Sequence, residues 1–147
     1  MGSRRREGSG DSQRYFDWLE RAAEDIAAAA RLVDNTETCN AAAFHCQQCI
    51  EKALKGYILF KTHRHEDGHN LTWLCRQAIK SDQRLAEWLN DSVVLNRYYI
   101  ETRYPADIPL ALDRETVSRA YGMAREMYRF ICDEVNDELD TAEEGTE

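Results

Sequence analysis

Very little in this 147-residue sequence would interrupt a helix: it holds only two prolines and seven glycines. No segment sustains a two-residue alternation of apolar and polar side chains, and no Asn-Gly hairpin dipeptide occurs, which excludes a sheet-based fold. No run approaches the ~20 apolar residues that span a bilayer. The basic start, MGSRRREGSGDSQ, lacks the apolar stretch of a secretory leader. Five cysteines, an odd number set inside apolar patterns, predict reduced thiols and no disulfide framework. Together these absences predict a soluble, cytoplasmic protein with no membrane partner. No Gly-x-Ser-x-Gly elbow, glycine-rich phosphate loop or His-Glu-x-x-His appears, so the familiar nucleophile, nucleotide-loop and zinc-protease motifs are missing. Basic charge is also short. The formal charge is −8; residues 137–147 contribute six acids and no base, and residues 1–10 a net +2, which leaves −4 for 11–136. A non-specific nucleic-acid binder needs a basic surface, so any contact with an anion must come from a local cluster.

What is present is helical periodicity. Tyr15, Trp18, Leu19, Ala22, Ile26, Ala29 and Val33 recur at three and four, predicting a first helix over about 12–34. After the turn residues DNTET, a second helix over 38–61 carries Phe44, Gln47, Ile50, Leu54, Tyr57 and Ile58 on one face. Asn70 is placed to cap a short third helix with Leu71, Leu74, Cys75 and Ala78 inward. Ser81 or Asp82 opens a fourth through Leu85, Trp88, Leu89, Leu95 and Tyr99. Pro105 and Pro109 bracket a loop, and Asp113 caps a long last helix with Val117, Ala120, Tyr121, Ala124, Met127, Ile131 and Val135. The expectation is an all-α, up-and-down bundle of four long helices plus a short one. It occupies 12–136, between disordered segments at 1–11 and 137–147.

The second helix has a second stripe: His45, Gln48, Lys52 and Lys55, with Glu51 at its edge. As ordinary surface this is a solvated face with one Glu51–Lys55 pair. As a site it is a groove with two ammoniums for an anion and an amide that donates and accepts. The segment FHCQQCIEKALKGYILF, followed by GHNLTWL and by Arg103-Tyr104-Pro105, resembles the HEPN domain family across roughly 14–136. The resemblance implies a helical bundle that forms homodimers and binds nucleotide or assists a partner nucleotidyltransferase. On that basis Lys52, Lys55, Arg97 and Arg103 are assigned to phosphate, and Gln48, His69 and Tyr104 to shaping the groove. No catalytic residue, metal or cofactor is assigned.

Other relatives of this kind are metal-independent ribonucleases of toxin systems, whose arginine and histidine stand four to six residues apart. Arg64 and His69 meet that spacing. Their setting does not suit the chemistry, because Glu66, Asp67 and Gly68 lie between them, and no histidine follows His69. A purely structural dimerisation scaffold is a third alternative. A zinc site would draw on His63, His65 and His69 with Asp67 or Cys75, or on Cys46, Cys49 and His45; the CxxC pair lies within a helical pattern, where free cysteine packs as a small hydrophobe. Among the tyrosines, Tyr98, Tyr99 and Tyr104 are candidates to stack a base, with Tyr99 assigned to the core by its spacing and Tyr104 to an exposed edge.

Overall fold

A computed structural model describes residues 10–99 and 112–145. Its helices are α1 (Tyr15–Leu32), α2 (Cys39–Thr62), α3 (Leu71–Ser81), α4 (Leu89–Asn96) and α5 (Arg114–Gly145), with short 3-10 segments at Thr36–Thr38 and Gln83–Trp88. No strand occurs among the described residues. None of the described helices is long and apolar enough to cross a membrane. The loop expected around Pro105 and Pro109 lies outside the described residues.

Short polar residues start the elements where the sequence placed them. Asn35 accepts a hydrogen bond from the Glu37 amide, Asn70 from Trp73, Asp82 from Arg84 and Asp113 from Thr116. Each satisfies an amide that the first turn of a helix leaves unpaired. At the other end of α2, His63 adopts a left-handed φ of 61° and its amide returns to the Leu59 carbonyl at 2.8 Å. That reversal sends the chain into the histidine-rich loop.

α2 is the axis of the molecule, packed by α1, α3 and α5. Ile50, Leu54, Tyr57 and Ile58 are buried in one apolar cluster with the inward stripe of α5, where Val117, Ala124, Met127 and Ile131 are fully enclosed. At Gly56 the backbones of α1 and α2 come so close that a Cβ would sit 3.1 Å from both Trp18 Cβ and the Tyr15 carbonyl. The missing side chain therefore sets the distance at which α1 covers the polar side of α2.

Two elements differ from the sequence reading. The fourth helix is interrupted: residues 83–88 wind as a 3-10 turn and only Leu89–Asn96 is α-helical, with Trp88 at φ −98°, ψ 4° between them. Among the described residues the bundle thus has three long helices and two short ones. Ser92, inside α4, bonds back to the Trp88 carbonyl at 2.9 Å. The acidic segment expected to be disordered instead continues α5 to Gly145. It is rich in good helix formers, and Lys61 holds it to α2 through Glu138 at 2.7 Å.

Candidate functional site

The polar stripe of α2 is not an open groove. α1 and the 63–70 loop cover it, and two buried carboxylates organise what lies beneath. Asp25 projects from α1 between Ala22 and Ala29 and is 7% exposed. Its Oδ1 lies 2.8 Å from His45 Nδ1 and its Oδ2 accepts from Lys52 Nζ at 2.7 Å. Glu51, 4% exposed, takes Lys55 Nζ at 3.0 Å and His69 Nδ1 at 2.9 Å on Oε2. Its Oε1 accepts the longer bonds from the amides of Gln47, at 3.3 Å, and Gln48, at 3.4 Å. Gln47 also donates to the His69 carbonyl, tying the loop to the helix.

Burial explains the pairing. A charge removed from water survives only when compensated and hydrogen-bonded, and here each carboxylate meets one ammonium. Asp25, Lys52, Glu51 and Lys55 cancel. The expected pair of free ammoniums is therefore absent: Lys55 is buried in its ion pair beneath Trp18, whose ring lies 5.6 Å from Nζ, and Lys52 is partly exposed but committed to Asp25.

The same carboxylates fix two imidazoles. An ionised carboxylate only accepts hydrogen bonds, so its contact assigns the hydrogen to Nδ1 of His45 and of His69 and leaves Nε2 as the other donor or acceptor site. His69 is about half exposed, and its ring stacks on Tyr99 at 4.4 Å with 13° between planes. Tyr99 also faces Phe44, at 6.5 Å between centroids, and Phe44 meets His45 edge-on at 5.7 Å. Half-buried Gln48, three residues after His45 on α2, donates to Gln47 Oε1 at 2.8 Å and shares Glu51 with His69. This face offers aromatic surface, two oriented ring nitrogens and a side-chain amide. It suits a planar, hydrogen-bonding ligand better than a bare phosphate.

Tyr99 does not take the core place that its spacing suggested. Tyr98 is buried, whereas Tyr99 is half-buried and stacked on His69. Because α4 ends at Asn96, residues 97–99 form a turn and no longer follow the helical 100° step. Arg97 is exposed on that turn. Arg103 and Tyr104 lie outside the described residues. Arg64 and His69, the ribonuclease pair, have different neighbours: Arg64 lines a small hollow with Gln77, Lys80 and Ser81 at α3, while His69 turns to Glu51 and Tyr99.

Of the candidate zinc ligands, His65 and Asp67 stay together at 3.2 Å, and the others are taken apart. His63 lies beside Phe16 and Phe60, His69 is on Glu51, and Cys75 is buried with its thiol toward the Leu85 carbonyl. Cys46 and Cys49 are wholly buried. Burial pushes the Cys46 thiol up to about 12 and raises that of Cys49 as well, which opposes the thiolate that a metal requires. Asp25 was the residue most easily missed. Its signal in the sequence was an acid at the inward register of an otherwise alanine-rich stripe.

Residues 15–135 match the HEPN domain family. Among solved structures, the chain is similar to TT1696 from Thermus thermophilus, with 26% identity and a TM-score of 0.72. The alignment covers 83% of this chain and 98% of that one. It is similar in fold to ST0689, described as an archaeal HEPN homologue, with 21% identity, a TM-score of 0.66 and the same coverage of 83% and 98%. No curated protein sequence matches it significantly.

Proposed function

The chain belongs to the HEPN domain family, and from that premise we propose that it is a non-catalytic nucleotide-binding module that acts beside a nucleotidyltransferase. The observation that carries this reading is the His69–Tyr99 stack, held from below by Glu51 and flanked by His45 and Gln48. Aromatic faces bind bases by stacking, at about 1–3 kcal/mol per base, and an oriented imidazole nitrogen with an amide can pair with a base edge. Arg97, on the exposed turn, supplies the phosphate contact; Lys52 and Lys55 hold Asp25 and Glu51 in place. Arg103 and Tyr104 complete the expected set.

The reading includes a homodimer. A hollow of about 390 Å³ between α1 and α5 is lined by Ile26, Ala30, Tyr121 and Tyr128, with Arg125 and Arg129 at its edge. The first half of α5 carries Arg114, Arg119, Arg125 and Arg129 against Glu115 and Glu126, a net +2, and the second half carries seven acids, Asp133 to Glu144, and no base. Two copies of α5 packed antiparallel would set basic half against acidic half, the charge complementarity that fixes register at an interface.

The test is thermal unfolding of the full chain with millimolar ATP, AMP and inorganic phosphate. Binding to the folded state must raise the melting temperature by mass action. ATP and AMP should stabilise the protein more than phosphate does, and His69→Ala should abolish the difference. If no nucleotide has any effect, the nucleotide reading fails and a structural scaffold is favoured. If the protein degrades RNA in excess EDTA and loses that activity in His69→Ala or Arg64→Ala, the ribonuclease reading replaces it.

A further inference from the structure

The loop between α2 and α3 holds a second cluster, separate from the stack. His65 Nε2 lies 3.2 Å from Asp11 Oδ2 and 3.2 Å from Asp67 Oδ1, and the three potential ligand atoms all fall within 4.8 Å of one another. We propose that Asp11, His65 and Asp67 form a site for one divalent transition cation, with one nitrogen and two carboxylate oxygens as ligands.

Geometry and charge carry the assignment. A tetrahedral ion with bonds of about 2.0 Å holds neighbouring ligand atoms roughly 3.3 Å apart, which is the separation found on both sides of Nε2. One imidazole brings at most one N–H to that point, whereas two negative charges converge on it. A divalent cation neutralises both and replaces their mutual repulsion with two bonds. The mixed nitrogen and oxygen donor set suits zinc or manganese better than the hard, all-oxygen preference of calcium or magnesium. With three protein ligands, at least one coordination position stays open.

The site is also built, because Trp18 fixes two of its walls. The indole ring stacks on His65 at 5.2 Å with 28° between planes, and its Nε1 donates to the Ser12 carbonyl at 3.0 Å. That bond anchors the segment next to Asp11, which Ser12 reinforces by donating to Asp17 at 2.7 Å. On the loop side, Gly68 at φ 95° allows the turn after Asp67. Contact with the Asp11 carboxylate assigns the hydrogen of the free imidazole to Nε2, so a bound cation takes the place of that proton, while Nδ1 is buried without a hydrogen-bond partner among the described residues. A hollow of about 500 Å³ lined by Asp11, Trp18, Arg14 and Arg21 adjoins the site.

The test is calorimetric titration of the full chain, stripped of metal, with zinc, supported by the visible absorption of bound cobalt. One zinc should bind saturably per chain. Asp67→Asn and Asp11→Asn, both surface changes that leave the Trp18–His65 stack in place, should each weaken binding at least tenfold, and the double variant should remove it. His69→Gln should leave zinc affinity unchanged, which separates this site from the nucleotide reading. The proposal is overturned if no saturable binding occurs below millimolar zinc, if the double variant binds as the parent does, or if His69→Gln abolishes binding.

Discussion

α2 is buried on two opposite sides, and the two burials are of different kinds. Toward α5 it is enclosed by Met127, Ile131 and Ala124, which ask nothing of geometry except volume. Toward α1 and the histidine loop it is enclosed through Asp25 and Glu51, each of which holds a cation and an imidazole at hydrogen-bond distance. Dispersion and the hydrophobic effect are non-directional, so the apolar side tolerates exchanges that keep its volume. Ion pairs under cover are directional and lose heavily when one member is removed. The side with the weaker net contribution to stability is thus the side with the more exact geometry, which is where a recognition surface belongs.

The contrast is sharpest at Glu51. Glu51→Ala would leave the Lys55 ammonium buried and unpaired, at a cost of about 3–5 kcal/mol, measurable by urea denaturation. Replacing both members, as Glu51→Leu with Lys55→Met, should recover much of that loss, because the burden lies in the orphaned charge. On the apolar side, Ile131→Ala should cost about 2–5 kcal/mol through lost transfer energy and the cavity left behind. It should leave the His69–Tyr99 stack and any nucleotide effect in place. Asp25→Asn should cost less than Glu51→Ala, about 1–3 kcal/mol, since Lys52 can still reach water. Outside both regions, Asn70→Ala removes the cap on α3 and should cost about 1 kcal/mol.

The smallest expected effect is acid dependence at the rim. The Arg84 side chain and amide hold the Asp82 carboxyl below its ordinary range, Ser12 and then Arg14 do the same for Asp17, and the Thr116 amide for Asp113. A depressed carboxyl contributes stability that is fully present above its unfolded pKa of about 3.9 and is lost as pH falls through the lower folded value. Below about pH 4, Asp82→Asn should therefore flatten the fall in stability relative to the parent, read from melting temperature against pH.

The bundle was legible because helix period, caps and breakers are local. The stripe from Val117 to Val135 on α5 and the caps at Asn70, Asp82 and Asp113 sit where the sequence indicated. The site was only half legible. The sequence placed His45, Gln48, Lys52 and Lys55 on one stripe, but not α1 lying over it, since that depends on Gly56 and on the partner at Asp25, 27 residues before Lys52. A polar stripe looks the same in sequence whether water or a buried acid faces it. Tyr99 was misplaced for a related reason: the helical step that assigned it inward stops at Asn96.

Recognition rests on oriented imidazoles, with the lysines already neutralised by Asp25 and Glu51. Histidine-selective NMR during titration with AMP tests this directly. The ring signals of His69 and His45 should shift and saturate together, with the Nδ1–H form observed for both in the free protein. If AMP saturates the protein while both rings stay unmoved, or if either ring carries its hydrogen on Nε2 in the free neutral form, the account is contradicted.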